Sequence, residues 1–123
     1  MVKVQSSGSA FELTNFELRE QLVYPCYMDY LKYLGNEDEK RASEVFYEFY
    51  DDWFKRDSKF ASDGFVVVRR RELKNMVMTC YLFWRSVVDH ECWIPMDNCS
   101  LFNLFFADWI EKFVFNQTMY EAC

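Results

Sequence analysis

With 123 residues the chain has room for one domain, since domains usually run to about 100–150 residues, and folding at that length hides roughly two-thirds of the unfolded surface without disulfide or metal staples. Hydrophobic types make up 51% and aromatics 20%, with 13 Phe, 8 Tyr and 4 Trp but only 3 Gly and 2 Pro, which argues against disordered, collagen-like and loop-rich all-β classes. A formal charge of −6 argues against a sequence-independent electrostatic grip on nucleic acid or an anionic membrane, though not against a local basic patch.

Residues Met1 to Ala10 hold one Lys and a Ser/Gly cluster without an apolar run, so they read as a flexible arm rather than a secretory signal, followed by a single helical domain over 11–123. The chain is expected to be intracellular. Its five cysteines (Cys26, Cys80, Cys92, Cys99 and Cys123) are odd in number, lack paired spacing, and are expected as free thiols. No membrane span is expected, because the greasiest run, Leu101 to Phe115, is broken by Asn103, Asp108, Glu111 and Lys112. The sequons at Asn98 and Asn116 read as chance.

Thr14 followed by Glu17 has the capping-box pattern and predicts a helix start. Leu18, Leu22 and Val23 begin its apolar stripe, Tyr27, Tyr30, Leu31 and Leu34 continue it, and Gly35 is a good stop. Pro25 is expected to interrupt or kink this helix. Asn36, with Glu39 after it, is read as opening a second helix, whose Ala42, Val45, Phe46, Phe49, Tyr50 and Trp53 recur at helical spacing. Ser62-Asp63-Gly64 reads as a turn, and Phe65 to Val68 as extended chain too short to form a sheet alone. From Arg69 to Val88 the 3.6-residue period is clearest, with Leu73, Met76, Val77, Cys80, Trp84, Val87 and Val88 on one face. Asp89 to Asp97 reads as a connection. The last helix, capped by Asn98 or Ser100, presents Phe102, Phe105, Phe106, Trp109, Ile110 and Phe113, with Leu101, Leu104 and Val114 on its other side. Such a helix is either central or covered by a partner. The fold expected is all-α: one compact bundle of four to five helices around an aromatic-rich core.

The sequence holds no complete catalytic constellation. His90 and Cys92 lie close enough for a thiol–imidazole pair, but no orienting group or oxyanion donor is identifiable. Cys80, His90, Cys92 and Cys99 are zinc-ligand types in a short stretch without a Cys-x-x-Cys knuckle, so a small metal- or thiol-dependent protein is an alternative and no cofactor is expected. Arg69, Arg70 and Arg71 form the one dense basic cluster, suited to forked contacts with phosphates or carboxylates, and nucleic-acid binding through it is a further alternative. The paired carboxylates at Asp51-Asp52 and along the second helix read as solvated faces.

The aromatics are the unusual feature. Tyr24, Tyr27, Tyr30, Tyr33, Tyr47 and Tyr50 fall on more than one face of the first two helices, and tyrosine and tryptophan are frequent interface anchors. The expected role is therefore non-catalytic: an adaptor that binds another protein through exposed aromatic surface, with Tyr27, Tyr30, Tyr47, Tyr50, Trp53 and Trp93 and the arginines Arg69, Arg70 and Arg71 as contacts. A homo-oligomer is compatible with this reading, and any association with nucleic acid would be indirect.

Trp53 with Arg56, a nearby Phe60, Trp84 on a long apolar helix, and the run Cys92-Trp93-Ile94-Pro95 resemble the XTBD family, domains that bind the nuclear 5′-to-3′ exoribonuclease. The resemblance spans about Trp53 to Ile110 and departs at Arg85-Ser86, where the family has Ala-Asn, and at Glu91, where it has glycine. It implies a small helical module, without activity of its own, docking on a nuclease in the nucleus.

Overall fold

Thr14 and Glu17 close the expected capping box: the Glu17 N–H donates to Thr14 Oγ1 at 3.1 Å, and the Thr14 N–H to Glu17 Oε1 at 2.9 Å. In the computed structural model, which describes residues 2–5, 9–54, 56, 64–88 and 99–122, this cap starts α1 (Asn15–Glu17). The winding then widens into a π-helical segment, Leu18–Val23, and tightens again into α2 (Tyr24–Tyr33). Pro25 thus does not interrupt the rod. In an α-helix its ring would meet the Gln21 carbonyl four residues back. Here the turn entering it is wound wider, with the Tyr24 N–H bonded to the Arg19 carbonyl, and the proline occupies one of the first positions of α2, where its missing donor costs least.

Gly35 ends α2 as the sequence implies. Its φ of +97° lets the chain reverse so that the Asn36 N–H reaches Leu31 O at 2.9 Å and its own N–H reaches Lys32 O at 3.0 Å, the two bonds of a Schellman cap. Gly35→Ala should lower stability by about 1 kcal/mol through backbone strain alone, since an added Cβ meets nothing within 4 Å; a shifted urea midpoint at unchanged slope would measure it. The next helix, α3 (Glu39–Phe54), is capped not by Asn36 but by Asp38, whose Oδ1 accepts the Arg41 N–H at 3.0 Å.

Among the described residues three strands accompany the helices. β1 (Lys3–Gln5), β2 (Ala10–Thr14) and β3 (Phe65–Arg69) form an antiparallel sheet in that order, with Val4 opposite Phe11, Phe11 opposite Val68 and Leu13 opposite Val66. The segment expected as an arm therefore contributes an edge strand, and the segment read as extended chain finds the partners it could not supply itself. The reason is non-local. Val2, Phe11, Leu13, Val66 and Val68 are all buried and together make one apolar sheet face, although β2 and β3 lie far apart in the chain.

β3 runs directly into α4 (Arg70–Val88), which starts with the Arg69 N–H on Glu72 Oε1 at 3.0 Å, and the last helix is α5 (Cys99–Ala122). α2 packs against α3, α4 and α5, and α3 also packs on α4, with Phe49 stacked on Phe83 at 4.3 Å; the sheet lies against the start of α4. Phe11 of β2 meets Phe113 of α5 edge-on at 6.0 Å. The fold is thus mostly α with an aromatic-rich core, as expected, and carries a small sheet that was not. Among the described residues no helix is long and apolar enough to cross a membrane.

Candidate interaction surface

Several expected contact residues are core. Tyr27, Tyr30 and Tyr50 are buried, and the Tyr27 hydroxyl donates to Ala42 O at 2.8 Å. Burial drives the phenol pKa values of Tyr27 and Tyr50 well above the ordinary range. The correction has a simple cause. A helix packed on three others buries a wide stripe of rings: Tyr27 packs on Phe46 of α3 at 5.2 Å, while Tyr30 packs on Tyr81 of α4 and Phe102 of α5 at 5.0 Å each. The breadth of the aromatic stripe on α2 reflects its central place in the core.

Tyr47 is half-buried and engaged within the chain. Its hydroxyl donates to the Glu20 carboxylate, at 2.8 and 3.0 Å from the two oxygens. Burial, the bond to Glu20 and that carboxylate's charge push its pKa up to about 12. Arg19 crosses the ring at 5.7 Å and pairs with Glu20 at 3.1 Å and Asp51 at 3.3 Å, so this group latches α3 to the π-helical segment.

The arginine cluster is divided. Arg70 pairs with Glu111 of α5, and its N–H donates to Ser9 O at 2.9 Å, whereas Arg69 belongs to β3 and is exposed, as is Arg71. Of the four zinc-ligand types, Cys80 is buried, its thiol pKa raised by burial, and among the described residues no three His, Cys, Asp or Glu side chains converge. Trp93, His90, Cys92, Pro95 and Cys123, with the expected connection around them, lie outside the described residues, as do the Cys99 side chain, Phe60 and Ser62-Asp63.

Trp53 is 42% exposed, stacked on Phe49 at 5.5 Å. With Arg56, Glu72, Met76 and Thr79 it lines a cleft of about 450 Å³ between α3 and α4. A second cleft, of about 540 Å³, runs between α2 and α5. Tyr33 and Phe105 form one end, their rings 5.3 Å apart, and Trp109 stacks on Phe113 at 5.7 Å along the other. The Trp109 indole N–H donates to Asp29 Oδ2 at 2.8 Å, which fixes the ring's plane, and Lys112 pairs with Asp108 at 2.9 Å on the rim. Beside the cleft, on the outward side of α5, Leu104 is 73% exposed and Phe115 62%.

This row of rings was not among the expected contacts. Phe105, Trp109 and Phe113 belong to what the sequence pattern reads as the inner face of the last helix; the available signal was that this helix has no wholly polar side. Chemically, the cleft offers apolar area, one fixed indole and balanced charges, a set suited to gripping a side-chain-bearing surface. Compared with protein-family models, with curated proteins and with solved structures, the chain matches none.

Proposed function

We propose that this chain is a non-catalytic interaction module that holds another protein against the α2–α5 face. The observation that carries the reading is the exposure of Leu104 and Phe115 on a helix whose flank already bears Phe105 and Trp109, with Tyr33 of α2 beside them. A side chain of this size contributes about 1.5–3 kcal/mol when fully buried, and a ring held in plane by Asp29 loses little freedom on binding. Rim charges such as Lys32, Asp108 and Lys112 would set orientation more than affinity.

A second reading keeps the XTBD resemblance. Trp53 and Arg56, which carry its first motif, line one cleft with Met76, and on this reading the partner is the nuclear 5′-to-3′ exoribonuclease and the location the nucleus. One set of variants separates the two. Partner capture by the immobilised full chain is expected to weaken by about 30-fold with Leu104→Asp or Tyr33→Ala, the loss of one hot spot of about 2 kcal/mol, and to be unaffected by Trp53→Ala. Purified exoribonuclease retained by the first two variants but lost by Trp53→Ala would move the contact to the α3–α4 cleft. Capture insensitive to all three would overturn both readings.

A further inference from the structure

Among the described residues β3 is an outer strand of the sheet, and the phase of its pairing says what its outer edge offers. Arg70 donates its N–H to Ser9 O, so Arg70 and Ser9 are a hydrogen-bonded pair, and by alternation Val68 with Phe11 and Val66 with Leu13 are the next two. Phe65, Val67 and Arg69 therefore direct their backbone N–H and C=O groups away from β2. The Arg69 N–H confirms this direction, since it is taken by Glu72 Oε1 at 3.0 Å. On the outer sheet face the same three residues project their side chains: Phe65 is 64% exposed, Val67 45%, and Arg69 is exposed as well.

The geometry points to a second copy of this chain as the occupant of that edge, joined antiparallel about a two-fold axis through Val67 to give a continuous six-stranded sheet. The strand is self-complementary in that register. Val67 faces Val67 of the other copy and exchanges two backbone hydrogen bonds with it. Phe65 of each copy faces Arg69 of the other, and the guanidinium lies opposite the ring in a cation–π pair. Arg69 itself asks for no backbone bond in that pairing, since its N–H is taken by Glu72 and its carbonyl caps the first turn of α4. Two backbone bonds, both at Val67, and two ring–cation pairs thus form with no donor competed for. A short edge strand with two exposed apolar residues and no proline is also the kind that joins another strand unless something blocks it.

Sedimentation velocity on the full chain, from about 1 μM to about 1 mM, the range of weak to moderate association, is expected to show a concentration-dependent dimer. Val67→Pro removes an N–H that β2 does not use, at a position where an edge strand tolerates proline. It should leave the far-ultraviolet circular dichroism unchanged and weaken dimerisation at least tenfold. Val67→Cys places the new thiols at the two-fold axis, and mild oxidation should yield a disulfide-linked dimer that reductant dissolves, whereas Arg69→Cys, displaced from the axis, should yield no more than the unaltered chain. A wild-type chain monomeric throughout the range overturns the inference, and so does a dimer that Val67→Pro retains. If Val67→Pro does not fold, the contrast between the two cysteine variants decides.

Discussion

Tyr30→Ala is expected to lower the free energy of unfolding by about 3–5 kcal/mol, the cost of removing a large buried ring and leaving a cavity. Tyr30 is buried at the meeting of three helices: it touches Tyr81 of α4 edge-on, Phe102 of α5 edge-on, and Phe105 of α5 at 5.2 Å. Few single truncations would open so many ring contacts at once. Against a usual total of about 5–15 kcal/mol, such a loss leaves the protein marginal. Tyr33→Ala, three residues on but 59% exposed, should cost less than about 1 kcal/mol. Paired urea titrations read both values. A Tyr30→Ala loss no larger than that of Tyr33→Ala would mean that α2 is not the centre of the core.

The second large effect is alkaline. Cys26, Cys80, Tyr27 and Tyr50 are buried, and burial raises the pKa of each above its ordinary value. In the unfolded chain thiols lose their protons near pH 8.5 and phenols near pH 10, roughly, while the folded chain keeps them. The folded pKa lies above the unfolded one, so this stability is complete below about pH 8 and is lost as pH rises, by about 1.4 kcal/mol per pH unit for each proton shed only on unfolding. The two thiols alone give a slope of about 3 kcal/mol per unit above pH 9, and the phenols roughly double it above pH 10. Unfolding by about pH 11 is expected for a protein of ordinary stability. Urea midpoints between pH 7 and pH 10.5, roughly the window in which these groups titrate when unfolded, test it, and a flat profile would contradict the burial of these groups. At the acid end the sign reverses. Burial raises the Glu17 pKa, but hydrogen bonds, including those from the Thr14 N–H and hydroxyl, outweigh it and hold it low, so its contribution is present above about pH 4.3 and lost as pH falls.

How far the sequence could be read depended on whether a signal was local. The helix from Arg69 to Val88 was readable to within a residue, because its period repeats over five turns and Glu72 stands ready to cap it. Thr14 with Glu17 and the stop at Gly35 were readable for the same reason: each motif is complete within a few residues. The sheet was not. Phe11 and Leu13 alternate over only five residues, and their partners Val66 and Val68 enter from beyond α3, so nothing near β2 advertises the pairing. The tyrosines show a subtler loss. Spacing put Tyr27 and Tyr30 on the apolar stripe of their helix, but whether a stripe meets solvent or another helix is decided by tertiary order, which periodicity does not encode. For the last helix the same ambiguity resolved the other way, and Leu104 and Phe115 lie outside.

The wide winding at Leu18–Val23 has a consequence for how this chain tolerates changes of length. A π turn stores one residue more than the α turn it replaces. That residue offsets the two ends of the rod by about 100° of rotation, so Leu18 and Leu22 can share a side with the strand behind them while Tyr27 and Tyr30 answer to the neighbours ahead. A one-codon deletion within the segment would let the rod rewind at ordinary pitch with its two ends still in phase, yet it would press the Pro25 ring against a carbonyl. One added residue elsewhere in the rod would find no such reservoir. The frame of the first helix is therefore fixed by its count of residues as firmly as by their chemistry.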